Sequence, residues 1–226
     1  MFSELLDHPG VEEQCELRSR FGLLAFHGGS LERGTDAIAV AAADRAGASL
    51  YVVRQPPDLR WHVPSIAFDP ADSPNLAAFV DHVEVAVAIH GYGRTGMWGT
   101  LLLGGRNRPL AARLATALRA RLGDEFMVID ALSGIPERLR GVHRRNPVNL
   151  PHGQGVQLEL PPRVRSGTGA PTYRRAYETA VIDALAEVAW RWTAPGSARR
   201  DGPTAAVGTD NGEPAGSAAS AERGFS

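Results

Sequence analysis

The 226-residue sequence predicts an α/β domain of three layers around a mixed, mostly parallel central sheet. Three observations predict it. Short apolar runs alternate along the chain with segments of helical composition. The strongest runs are continuously apolar, as strands covered on both faces are. Three of them close on glycine, at Gly28, Gly91 and Gly104, where a buried strand gives way to a sharp turn.

In chain order, FGLLAFH (21–27) reads as a buried strand ending at a glycine pair, and TDAIAVAAADRA opens a helix with Thr35 or Asp36 as its N-cap. LYVVRQ (50–55) is the next strand, stopped by Pro56 and Pro57, and 56–66 is a loop rich in Pro, Trp and His. Residues 74–81 suit a short helix. VEVAVAIHG (83–91) is a second buried strand that also ends in His-Gly, and TLLLGG (100–105) is a third. RPLAARLATALRARLG (108–123) places Leu110, Leu114, Ala117, Leu118 and Leu122 on one helical face, and Gly123 stops it. FMVID (126–130) is a strand, 131–153 is irregular, and GVQLEL (155–160) is a strand bounded by Gly155 and Pro161. YRRAYETAVIDALAEVAWRW (173–192) is a long amphipathic helix whose stripe includes Ala176, Ala180, Ile182, Leu185, Ala186 and Ala189. Beyond it, 194–226 is almost pure Gly, Ala, Ser, Pro and charge, too poor in apolar surface to offset ordering entropy. The expectation is one domain over 1–193 and a disordered tail over 194–226.

Composition narrows the function. A net charge of -1 gives no electrostatic case for nucleic acid or an anionic membrane. All 24 basic residues are arginine, so no mechanism can use a lysine. The single cysteine, Cys15, permits no intrachain disulfide. The N-terminus MFSELLDHPGVEEQ lacks the basic flank and apolar core of a signal peptide, and no apolar run approaches the ~20 residues of a spanning helix. A cytoplasmic protein is expected.

The chemistry gathers at strand ends, where open α/β sheets bind ligands. In FHGGSLE, His27 and Glu32 flank a glycine pair that lets both side chains turn to one point. They could hold a metal, or His27 could simply close a strand and Glu32 open a helix near its positive end. His90, at the equivalent end of VAVAIH, shifts the balance to metal, because His27, Glu32 and His90 form a His₂Glu set known from catalytic zinc sites. Zinc hydrolysis also needs a base. Glu159 is the candidate: it shares parity with Gln157, opposite Val156, Leu158 and Leu160. The alternative makes 157 and 159 the solvent face of an edge strand.

The blocks LLAFHGGSLERGTDAIA, LRWHVPSIAFDP, VAVAIHGYG, LLLGGRNRPLAARL and NPVNLPHGQGVQLELPPRVR resemble, in order over about residues 12 to 193, the poly-γ-glutamate hydrolase family of phage and bacterial enzymes. That resemblance implies a zinc-carboxypeptidase-like fold, one zinc per chain on His27, Glu32 and His90, and Glu159 as general base. Carboxypeptidases use a His-x-x-Glu spacing, whereas Glu32 comes five residues after His27, so exopeptidase specificity is not implied. The substrate implied is a γ-glutamyl peptide or related amide. Substrate carboxylates could meet Arg106, Arg94 or Arg165, with Arg108 a weaker candidate. His62, in WHVPS, could donate to an oxyanion or contact substrate, or serve only its loop. His152 could border the site, while His8, His82 and His143 have surface contexts. Two other readings stay open: a zinc hydrolase of the same fold acting on another amide, such as a deacylase or cell-wall peptide amidase, and a metal-free binding domain.

Overall fold

The computed structural model describes residues 2–165 and 171–194, with the side chains of 171–174 excepted. Among the described residues seven strands form one sheet: β1 (Glu12–Glu16), β2 (Phe21–Gly29), β3 (Ser49–Gln55), β4 (Val85–Gly91), β5 (Thr100–Leu103), β6 (Met127–Ile129) and β7 (Gly155–Leu160). Their order is β1-β3-β2-β4-β7-β5-β6. β3, β2, β4 and β7 run parallel, β1 and β5 are antiparallel to their neighbours β3 and β7, and β6 is parallel to β5. The chain leaves β2 for β3 on one side and returns to β4 on the other. That reversal opens a crevice at the carboxyl ends of β2 and β4.

Six helices among the described residues complete the layers: α1 (Phe2–Leu6), α2 (Thr35–Ala46), α3 (Pro74–His82), α4 (Arg108–Leu122), α5 (Pro162–Arg165) and α6 (Pro171–Thr193). One sheet face, carrying Leu23, Val87, Ile89, Val156, Leu158 and Leu160, packs on α2, α4 and α6 through Ile38, Leu114 and Leu185. The other face, carrying Leu24, Phe26, Tyr51 and Ala88, packs on α1, α3 and the 56–73 loop through Phe2, Leu76, Phe79 and Phe68. Strict alternation in β3, with Leu50 and Val52 to one side and Tyr51 and Val53 to the other, separates the two cores.

Several elements differ from the sequence expectation. α1 and β1 were not foreseen. β1 is a polar edge strand, EEQCE, whose order comes from its ladder to β3 and not from burial. Its Glu13 accepts bonds from the hydroxyls of Tyr51 and Ser73 and from Asn75 Nδ2, at 2.7 Å for the last. β7 is not at an edge: it lies between β4 and β5, and Gln157 and Glu159 are 5% and 4% exposed. The N-cap of α2 is Gly34, and Thr35 instead donates its hydroxyl to the Glu32 carbonyl at 2.8 Å. Ala176, expected on the apolar stripe of α6, is exposed, and Val181, Leu185, Val188 and Ala189 fill that role. Residues 131–153 are irregular, as expected, apart from short 3₁₀ turns. The expected tail, beyond Ala194, lies outside the described residues. Among the described residues no helix is long and apolar enough to cross a membrane.

Candidate active site

β2 does not stop at His27 but continues to Gly29, and its pairing with β3 shifts register between Ala25 and Gly28. Gly28 pairs with Arg54 and Ala25 with Val52, so Phe26 and His27 together oppose Val53. This bulge turns His27 to the face that Phe26 occupies, where its ring lies 5.6 Å from that of Phe68 and 5.2 Å from that of His90. Without the extra residue, alternation would aim His27 at α2. His90 reaches the same face by simple parity with Ala86 and Ala88. Glu159 is its cross-strand partner on β7.

The turn after β2 brings Glu32 back. Its backbone N–H donates to the His27 carbonyl at 2.8 Å. Gly29 makes that turn possible, with φ of +73° and the Gln55 carbonyl oxygen 2.2 Å from where a Cβ would sit. Glu32 Oε1 lies 2.9 Å from His27 Nδ1, and Oε2 lies 3.5 Å from His90 Nδ1 and accepts the Gly91 N–H at 2.8 Å. One ligand atom from each of His27, Glu32 and His90 falls within 4.8 Å of the others.

The donor set fits a divalent metal. Two imidazoles and a carboxylate suit zinc, leaving a coordination position open. The other ring nitrogen of His27, Nε2, is 2.8 Å from the Val63 carbonyl, so it carries a proton, and Nδ1, on the Glu32 side, is the nitrogen a metal would take. His90 Nε2 is buried without a hydrogen-bond partner, the one such atom found among the described residues. An imidazole so enclosed lacks full satisfaction from the protein alone. Burial alone would raise the Glu32 carboxyl, but hydrogen bonds and charge from His27 and His90 outweigh it and hold the group well below the usual carboxylate range. Burial opposes the charged form of His90 too, yet Glu32 draws its pKa upward overall. Burial pushes Glu159 up, with only partial relief from His90.

These four residues line one cavity of about 680 Å³. Its walls include His62, Ile66, Tyr92, Arg138, Val142 and His143. The His62 ring is 4.9 Å from that of His27, and burial together with its neighbour lowers its pKa. Gln55 pins the His62 loop, accepting the Trp61 N–H at 2.8 Å and donating to the Trp61 carbonyl at 2.7 Å. Tyr92 turns its hydroxyl to the carbonyls of Met97 and Thr100, and burial and Glu159 push its pKa up to about 12.

The arginines are distributed differently from expectation. Arg94 and Arg106 are exposed and are not among the cavity residues. Arg165 lies behind the site, its guanidinium on the carbonyls of Leu160, Arg33 and Tyr92 at 3.1, 3.0 and 3.4 Å. Arg108 is likewise held by carbonyls, those of Leu103, Gly104, Gly105 and Asp130. Among the described residues the arginine that lines the cavity is Arg138, in the wall segment ERLRGVHRR, with His143 also on the wall. Neither was a candidate in the sequence. The signal available there was charge: four arginines and one acid in nine residues. His152 borders a separate depression with Arg20 and Glu84.

A buried His–Glu–His donor set at the carboxyl ends of parallel strands, with a further carboxylate on the adjoining strand, is the arrangement of a metal-dependent hydrolase. The chain belongs to the poly-gamma-glutamate hydrolase family, whose model matches residues 3–180, and is thereby a hydrolase acting on amide bonds. Its fold is similar to that of a bacteriophage poly-gamma-glutamate hydrolase, with 22% identity, 78% of this chain and 88% of that chain covered, and a TM-score of 0.61. It is also similar to YNDL in a zinc-free apo form, with 20% identity, 77% and 89% covered, and a TM-score of 0.59. A metallo-carboxypeptidase from Burkholderia cenocepacia shares the outline more remotely, with 10% identity, 82% and 67% covered, and a TM-score of 0.45. Among curated proteins no sequence match was found.

Proposed function

We propose that this protein is a zinc-dependent amidohydrolase that cleaves γ-glutamyl amide bonds, with His27, Glu32 and His90 holding the metal and Glu159 as general base. The observation that carries this reading is the convergence of the three donors within 4.8 Å in the cavity that Glu159 also lines. A bound zinc ion supplies a Lewis acid for the scissile carbonyl and makes water acidic near neutral pH.

The chain's own residues do the rest. Glu159 takes a proton from the attacking water and returns it to the leaving nitrogen. Its burial favours proton uptake, which suits a base that must later act as an acid. His62, biased to the neutral form, donates an N–H to the developing oxyanion. Arg138, on the cavity wall, receives the free carboxylate of the glutamyl unit. His27 and His90 keep Glu32 ionised, so the carboxylate of the donor set has no proton of its own to lose.

The test compares γ-linked with α-linked polyglutamate, with and without a chelator. Cleavage of the γ-linked chain that is lost on chelation and restored by zinc is the expected result. A second reading is favoured by Ile66 and Val142, both 40% exposed and both lining the cavity. Such apolar walls suit an amide with an apolar neighbour, such as an acylated or cell-wall peptide. Cleavage of those amides with γ-linked polyglutamate untouched would select that reading.

A further inference from the structure

Gln157 has no part in the chemistry described so far, yet it is 5% exposed and sits on the face of β7 that carries Glu159. Its Nε2 donates to Glu159 Oε1 at 2.8 Å and to the Leu139 carbonyl at 3.4 Å. Its Oε1 accepts from Asn146 Nδ2 at 2.8 Å. Asn146 in turn accepts the Val148 N–H on Oδ1 at 3.3 Å, and its Nδ2 also faces the Gly141 carbonyl at 3.5 Å.

Backbone groups fix the direction of this chain. The Val148 N–H can only donate, and the carbonyls of Gly141 and Leu139 can only accept. Both amides are therefore oriented without ambiguity, and donation runs from the backbone through Asn146 and Gln157 into Glu159. Oε1 of Glu159 faces a group that cannot accept a proton. Oε2 has no partner among the described residues, and Glu159 lines the cavity. The wall segment closes over the amide: Gly141 has φ of +60°, and a Cβ there would lie 2.3 Å from Gln157 Oε1.

We propose that Gln157 is a positioning residue that keeps Oε1 of Glu159 a permanent acceptor, so that the reaction's proton is carried on Oε2 alone. This rests on Glu159 being the base. An O–H bond of water breaks as Oε2–H forms and the water oxygen joins the carbonyl carbon. Oε2–H then breaks as the proton passes to nitrogen and the C–N bond opens. Delivery from a single oxygen on the cavity side keeps donor and leaving group in one geometry.

The test uses the full-length, zinc-loaded chain on γ-linked polyglutamate, with Glu159→Gln as reference. Gln157→Met keeps the length and removes the donor. Asn146→Asp keeps the turn's cap but replaces a donor with an acceptor, which forces the Gln157 amide to turn its oxygen toward Glu159. Both variants are expected to lower kcat about tenfold or more, with KM changed less than about twofold. A kcat within about twofold of wild type in either variant, or kcat, KM and Tm shifting together, overturns the proposal. Equal turnover by wild type and Glu159→Gln would remove the base, and this inference with it. A second readout is independent of turnover. The side-chain amide NMR signal of Gln157 is expected to move in Glu159→Gln and again in Asn146→Asp. If neither substitution moves it, the tie does not exist. If the wild type leaves the polymer intact, the proposed function fails alone and the amide signal decides the tie.

Discussion

At His27 one extra residue in β2 decides which face of the sheet the imidazole serves, and its neighbours then decide its tautomer. Glu32 and Glu159 show how two carboxylates a short way apart acquire opposite tendencies. Glu32, between two imidazoles, is held ionised; Glu159 is pushed toward its protonated form by burial, against the pull of His90 and of the Gln157 amide that donates to it. Because the folded pKa of Glu159 lies above its unfolded value, its contribution to stability is full below the ordinary carboxylate range and is lost as pH rises through the folded pKa. Glu159→Gln is therefore expected to raise the Tm of the metal-free protein at neutral pH, at about 2–4 °C per kcal/mol for a domain of this size, with the gain vanishing in acid. The same substitution should cut turnover of the metal-loaded enzyme about 10²–10⁴-fold. Thermal scans at two pH values and an initial-rate assay check both; a lower Tm at neutral pH would contradict the assignment of a buried, destabilising charge. Glu32 has the opposite sign: its stabilisation is present above the ordinary carboxylate range and lost only as pH falls through its depressed folded pKa. Glu32→Gln should thus destabilise the metal-free protein at neutral pH, which urea unfolding would measure.

At the scale of elements, the glycines that follow His27 are structural requirements of the site. Gly29→Ala would place a side chain at φ of +73° against the Gln55 carbonyl. The left-handed conformation alone costs about 1–2 kcal/mol, and the clash adds to it. Loss of at least that much stability, with weaker zinc binding as Glu32 shifts, is expected from urea unfolding and metal titration; an unchanged midpoint would contradict it. This segment was legible because its residue types and its backbone demand coincide: His-Gly-Gly ending an apolar run announces a strand and a sharp turn with an imidazole at the junction. β7 was legible by parity, Gln157 and Glu159 against Val156, Leu158 and Leu160, but its place in the sheet was not. An interior strand covered by irregular loops on one face has the same pattern as an edge strand facing water. β1 was hidden for the converse reason, since EEQCE has no apolar periodicity and its order comes from pairing with β3. The bulge in β2 also left no mark on the residue pattern, because it adds one residue to a run that is apolar on both sides.

Across the whole molecule, the charges balance while their distribution does not. The net charge is -1, yet the 137–145 wall carries Arg138, Arg140, Arg144 and Arg145 against Glu137. The anionic substrate proposed above would be attracted by this segment of the cavity wall. Arg138→Ala is expected to raise KM for γ-linked polyglutamate several-fold, to leave kcat largely intact, and to weaken the rise of KM with salt; steady-state kinetics at two ionic strengths check this. The wall is not legible in the sequence because irregular segments have no period, and which arginine faces a cavity depends on where backbone carbonyls fall once the chain is folded. Arg165 and Arg108 are drawn to such carbonyls and Arg138 is not. What the sequence did make legible was the set of strand ends that the sheet order brings together at the reversal between β2 and β4. The most direct test of the account is the metal content of the purified, untagged protein by elemental mass spectrometry, beside His90→Ala. About one zinc per chain in the wild type, lost in the variant, is the predicted result. A wild type that holds no zinc after zinc addition and dialysis, while still folded, would contradict the metal centre and the hydrolytic mechanism built on it.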